Sequence, residues 1–235
     1  MKIPWYYMWS PKYEFFHRLF VDTMKEDTIE VHPIFIEQST FDAELDDTKA
    51  HQWVGCDRKV RLVLDALRTT KESYILFTDI DIIVKGTVYD KLQEYIANNT
   101  TMVFLKEGEH CNIGVCFLKV CPDVISFWES ILHHMQREEA HDQALVNKYL
   151  SSYTNSWTTF STKQFACSNT WDGSEFTLFQ PLCSRFSPEL DFAEKIFYTA
   201  QFIDIQEYMK YLTPTIVNNI YKFQEILCSR KNNAS

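Results

Sequence analysis

The sequence predicts an α/β protein built on a central, mixed but mostly parallel sheet flanked by helices. Three observations carry this. The chain opens strand–helix–strand, with apolar or aromatic runs at residues 3–9 and 29–36 around a helical pattern at 13–24. Such a unit closes as a parallel pair with a right-handed crossover. Residues 53–68, WVGCDRKVRLVLDALR, form the strongest helical pattern, with Val60, Leu64 and Leu67 as its buried stripe. Residues 74–84, YILFTDIDIIV, then form an apolar run rich in β-branched and aromatic side chains, the mark of a buried strand.

The remaining elements follow in order. Ser10 and Pro11 mark the first helix start, Ser as N-cap and Pro at the first helical position, with Phe16, Leu19 and Phe20 at helical spacing behind them. A polar connection leads from the second strand through Asp47. Gly86 precedes a helix at 87–97, 101–106 is a strand, and 107–110 is a turn into the strand CNIGVCFLKV at 111–120. Pro122 opens an amphipathic helix at 122–136, with Val124, Phe127, Trp128, Ile131 and Leu132 inward. His133 and His134 are adjacent, so they face different sides and make no ligand pair. A short helix starts at Asp142, where an N-cap is the simple explanation and His141 is incidental. From Ser151 the chain reads as irregular and aromatic, with short strands at 157–160 and 177–179 and a final helix at 213–227. The segment NTWDGSE (169–175) reads as a hairpin turn, or as an exposed lip in which Trp171 and Asp172 meet an acceptor.

Composition excludes several classes. A chain of 235 residues, 46% hydrophobic and 15% aromatic, with 5 Gly and 7 Pro, buries a sizeable core and is not disordered. The formal charge of −9 argues against nucleic acid as a partner; any phosphate ligand would need a cation beside it. Seven cysteines with no Cys-x-x-Cys pair argue against zinc fingers and redox motifs, and read as core thiols in a reducing compartment. There is no signal-peptide pattern and no run of about 18 apolar residues. A cytoplasmic protein with no membrane span is expected.

Chemistry concentrates at Asp79 and Asp81. Side chains two apart on a strand share a side, so the two carboxylates project together near its carboxyl end. An unpaired buried ion costs several kcal/mol, roughly, and a divalent cation with oxygen ligands relieves that cost. Aspartates also begin turns, but Ile80, Ile82, Ile83 and Val84 keep this region apolar beyond them. Ligands of open α/β sheets bind beyond the carboxyl ends of strands, which places Tyr7, Met8, Trp9 and Ser10 beside a nucleotide, unless the aromatics simply belong to the core. Arg58, Lys59 and Arg61 oppose the dipole at their helix start, so they meet an external anion or water. Gly114 inside a strand lets a ligand or another backbone approach, and a buried Asn112 needs partners. A bulge glycine beside a turn asparagine is the plainer account.

In order along the chain, W-x-G-x-x-x-K ending at Lys59, the Asp-x-Asp pair, N-x-G-V-x-x-L from Asn112 and D-Q-x-x-x-N from Asp142 resemble the GT-A glycosyltransferases. The nearest type is the retaining glycogenin and lipopolysaccharide galactosyltransferase group. This resemblance implies a GT-A, Rossmann-like fold in a single catalytic domain (1–235), with a nucleotide-binding half at 1–110 and an acceptor-binding half at 111–235. It implies Mn²⁺ or Mg²⁺ on Asp81, with Asp79 on the metal or the donor ribose and Lys59 beside the donor. Asn112 and Gly114 would shape the sugar pocket, with Asp142 and Gln143 under the reactive face of the sugar. The donor is a nucleotide-diphosphate sugar, uridine by frequency, and the acceptor a glycan or glycoprotein hydroxyl, with retention expected. In an inverting enzyme Asp142 would instead be the general base. One departure stands out. Such enzymes often take a third metal ligand from a C-terminal H-x-x-G-x-x-K motif, and here the last histidine is His141. Two other classes stay open: a sugar nucleotidyltransferase, although the N-terminus lacks a Gly-rich basic loop, and a non-catalytic carbohydrate-binding module.

Overall fold

The computed structural model describes residues 2–37, 56–138, 140–182 and 188–233. Its strands are β1 (Ile3–Trp9), β2 (Ile29–Phe35), β3 (Tyr74–Thr78), β4 (Ile83–Val84), β5 (Met102–Glu107), β6 (His110–Lys119), β7 (Trp157–Thr159), β8 (Phe165–Cys167) and β9 (Leu178–Gln180). The helices are α1 (Glu14–Thr23), α2 (Cys56–Thr69), α3 (Val88–Ala97), α4 (Pro122–Met135), α5 (Asp142–Leu150), α6 (Pro188–Ala200) and α7 (Pro214–Asn233). Trp53 and Gly55 of the basic helix pattern lie outside the described residues.

The main sheet runs β2-β1-β3-β6-β5-β7, and β4-β9-β8 form a smaller one. In the main sheet β1 pairs parallel with β2 and β3, and β5 with β7, while β6 runs antiparallel between β3 and β5. This is the mixed, mostly parallel sheet that the sequence predicts. Strand alternation divides its core into two layers. Trp5, Leu76, Val103 and Phe117 face one layer, with Phe16, Phe20, Val88, Leu92 and Ile196 from α1, α3 and α6. Ile75, Phe77, Phe104 and Cys116 face the other, with Val60, Leu64, Trp128 and Val146 from α2, α4 and α5.

Five local expectations are corrected. The apolar run 74–84 is not one strand: β3 stops at Thr78, a tight turn closes with Ile82 N–H donating to the Ile80 carbonyl at 2.8 Å, and Ile83 enters the smaller sheet. The side chains beyond the aspartates are apolar because they are buried in a second sheet. Ser10 makes no side-chain cap: Pro11 opens a 3-10 turn closed by Tyr13 N–H on the Ser10 carbonyl at 2.8 Å, so α1 begins three residues later, at Glu14. At α5 the cap is His141, whose Nδ1 accepts from the Ala144 N–H, and Asp142 is the first helical residue. The segment 169–175 is no hairpin turn, because the strands it joins, β8 and β9, are parallel, whereas a hairpin joins antiparallel strands. The stretch after Ser151 is also more regular than it reads. It contains β8 and α6, the latter opening with Pro at its first position, as helices often do.

The connection between α1 and β2 is tied to α3 by one carboxylate. Glu26 accepts hydrogen bonds from Val88 N–H at 2.9 Å and Tyr89 N–H at 2.7 Å, serving the otherwise unpaired donors of that helix start. Replacing Glu26 with Ala should destabilise the protein by about 1–2 kcal/mol, read as a lowered urea midpoint with an unchanged slope.

Candidate functional site

The topology brings several polar residues to one end of the main sheet. Tyr7 of β1 lies opposite Thr78 of β3, and Thr78 opposite Val115 of β6. Because β6 is antiparallel, its early residues Asn112 and Gly114 meet the carboxyl ends of β1 and β3. The helix starts of α2 and α5 deliver Lys59 and Asp142 to the same end.

Asp79 is the hub. Its backbone N–H donates to the Gly114 carbonyl at 2.8 Å, one residue beyond the last rung of β3. Its Oδ1 accepts from Lys59 Nζ at 2.7 Å and its Oδ2 from Gln180 Nε2 at 3.1 Å. Lys59 is almost wholly buried, at 6% exposure. Burial pulls its ammonium toward neutrality, but Asp79, with Asp142 behind it, outweighs burial and holds it above the ordinary lysine value. Burial likewise pushes the Asp79 carboxyl upward, and Lys59, Lys195 and Gln180 together bring it below the usual carboxylate range. The pair is therefore ionised across the neutral range. Asp81 is buried, and Lys195 Nζ of α6 stands 2.6 Å from its Oδ2. That oxygen has no hydrogen-bond partner, so the approach is too oblique to count as one. Lys195 thus pairs with Asp81 and acts electrostatically on Asp79, and the two aspartates follow the end of β3 in a turn rather than alternating along it.

Beside this hub lies a second polar network. Asn112 is buried; its Nδ2 donates to Glu107 Oε2 at 2.7 Å and its Oδ1 accepts from Gly114 N–H at 2.6 Å. Gln143 Oε1 accepts from Ile113 N–H at 3.3 Å, and its Nε2 donates to the same Glu107 oxygen at 3.3 Å. Asn147 binds both backbone groups of Cys111, so α5 is docked onto β6 as if it were a further strand edge. Asp142 Oδ1 accepts from the Gln143 N–H at 2.8 Å. Gly114 meets the requirement for close approach in an unexpected way. A Cβ there would lie 2.2 Å from Gln180 Nε2, so what comes close is the Gln180 amide, laid across the glycine on its way to Asp79.

The aromatic end of β1 is divided. Tyr7 is fully buried and its hydroxyl hydrogen-bonds His17 Nδ1 at 3.0 Å, and Ser10 is buried as well. Trp9 is partly exposed and stacks on His17, with centroids 3.9 Å apart and planes within 3°. Trp9 is therefore the one of these three with a surface to offer. Arg61 pairs with Asp57 on the outer face of α2, Arg58 is half-buried, and Lys59 is the residue of this helix start that pairs with Asp79. Trp171 packs edge-on against Phe202, while Asp172 is exposed on a loop where Gly173 takes φ +90°.

Sequence reasoning missed Gln180, Lys195, Glu107 and His17. Lys195 had a signal: PELDFAEKIFYTA places Phe192, Ala193 and Ile196 on one face beside it. Gln180 had none, since its partner is 101 residues away. As for metal ligands, Asp79 and Asp81 are an all-oxygen pair of the kind hard divalent cations take. Among the described residues no three His, Cys, Asp or Glu side chains gather into a ready-made metal site.

No protein-family model and no curated protein matches the sequence. Solved structures do share the fold. A glycosyltransferase involved in the glycosylation of the major capsid of PBCV-1 has a TM-score of 0.55 at 12% identity, over 77% of this chain and 93% of that one. The apo form of the glycosyltransferase GlyE from Streptococcus pneumoniae TIGR4 gives 0.54 at 11% identity, over 89% of this chain and 62% of that one. Apo mouse xyloside xylosyltransferase 1 gives 0.51 at 11% identity, over 80% of this chain and 100% of that one. The chain has the fold of these glycosyltransferases.

The burial pattern sets two stability outcomes. Asp79→Ala strands a buried ammonium and should cost about 3 kcal/mol or more; Asp81→Ala should cost clearly less, because Lys195 is 21% exposed and can reach water. Chemical denaturation of the two variants side by side checks the order. Gly114→Ala should cost about 1–3 kcal/mol by displacing the Gln180 amide. Adding Gln180→Ala should recover part of that loss in a double-mutant cycle.

Proposed function

We propose that this protein is a metal-dependent glycosyltransferase that moves a sugar from a nucleotide-diphosphate donor, uridine diphosphate foremost, to a hydroxyl of a glycan or glycoprotein. One observation carries the proposal: two carboxylates stand at the carboxyl end of the central strand of a glycosyltransferase fold, beside a buried lysine. Ligands of such sheets bind at that edge.

The residues present fit a hard divalent cation. Asp81 presents a buried oxygen that takes no hydrogen bond, and Asp79 is the second carboxylate. Two carboxylates completed by substrate phosphates are what Mg²⁺ and Mn²⁺ ordinarily accept. When bound, the cation supplies Lewis-acid stabilisation to the departing diphosphate. The protein's own groups do the rest. Lys59 keeps Asp79 ionised and oriented, and adds positive charge beneath the site. Trp9 offers a face for the base. Asn112, fixed by Glu107 and Gly114, and Gln143, fixed by Glu107 and Ile113, wall the side where the sugar lies. Asp142, buried and within electrostatic reach of Lys59, faces the charge that develops at the anomeric carbon. We favour retention, in the manner of the glycogenin and lipopolysaccharide galactosyltransferase type.

Incubation with a panel of nucleotide-diphosphate sugars and Mn²⁺ should release nucleoside diphosphate from a uridine donor, and release from none of them would sink the proposal. Asp81→Asn should lower turnover about a hundredfold or more, the size of losing one group that stabilises transition-state charge, with circular dichroism unchanged. Proton NMR of the first-formed product should show the donor's anomeric configuration; the opposite anomer would make Asp142 a general base.

A further inference from the structure

The carboxylate assigned to the metal already has a cation against it. Lys195 Nζ lies 2.6 Å from Asp81 Oδ2, with the lysine side chain 21% and the aspartate side chain 3% exposed. Since that oxygen takes no hydrogen bond, the contact is charge against charge. The same ammonium also acts electrostatically on Asp79. Like charges this close repel strongly in a partly desolvated site, and the ammonium and a divalent ion cannot share Asp81.

We propose that Lys195 is a built-in competitor of the divalent cation for Asp81, drawn away when a diphosphate offers its ammonium another anion. This rests on the reading of Asp79 and Asp81 as metal ligands. The lysine suits the part. Its four-carbon stem is flexible and its ammonium a rotatable point charge, so it can move from carboxylate to phosphate oxygen while α6 stays in place. Its partial exposure leaves a path. Lys59 is unsuited, because it is 6% exposed and hydrogen-bonded to Asp79 at 2.7 Å. Metal and diphosphate then bind with positive coupling, and linkage makes that coupling reciprocal. Metal alone meets a defended site; metal with diphosphate meets an open one.

The test is Mn²⁺ binding, followed by the electron paramagnetic resonance signal of the free ion, with and without UDP. Wild-type protein, Lys195→Met and Lys195→Arg are compared. Without UDP, Lys195→Met should bind Mn²⁺ about tenfold tighter than wild type or more, within the usual range of coupling between sites. The enhancement by UDP should shrink by a similar factor, and Lys195→Arg should behave as wild type. If Lys195→Met fails to fold, Lys195→Gln makes the same comparison, since its amide can still donate to Asp81. Equal Mn²⁺ affinity in wild type and the neutral variant would overturn the competition and leave the metal site standing. No Mn²⁺ binding by any of them, with or without UDP, would overturn both.

Discussion

Two carboxylates stand at the end of a central strand, Asp81 buried and Asp79 half-buried, and each is answered by an ammonium group. Asp79 and Asp81 are separated by a single residue, yet their ammonium partners come from opposite halves of the chain, Lys59 on α2 and Lys195 on α6. A buried ion without a partner costs several kcal/mol, roughly. The folded state is therefore specified partly by charge, because these helices must dock where their lysines reach the turn after β3.

The two pairs are not equivalent. Lys59 and Asp79 form a short, aligned hydrogen bond that Gln180 completes from the other oxygen. That pair has little slack and reads as architecture that also lends charge to the site. Lys195 approaches Asp81 obliquely, from a more exposed position. The first pair is the tighter of the two and the second the looser.

The antiparallel insertion of β6 has a comparable consequence. In a wholly parallel sheet the early residues of that strand would lie at the far edge. Reversed, β6 brings Asn112 and Gly114 beside Thr78 and Asp79. Docking of Asn147 and Gln143 onto its backbone then carries Asp142 to the same place. One reversal thus gathers motifs that are dispersed along the chain.

Much of this was legible locally. The opening strand–helix–strand unit, the amphipathic helical patterns at 53–68 and 122–136 and the strands of the hairpin around Gly108 follow from the period and placement of apolar residues. The aspartate pair was legible because charge inside an apolar run is conspicuous. The break after Thr78 was not, since residues buried in a second sheet look like the continuation of the first. Nor was the role of Gln180, whose amide matters only because a glycine from β6 leaves room for it. By itself the sequence determined most of the helices and strands before Ser151 and which residues carry unusual charge, because those depend on neighbours a few positions away. Only the tertiary structure decided which lysine answers which carboxylate and what fills the space over Gly114, because those contacts join residues that the chain separates widely and the sheet brings together.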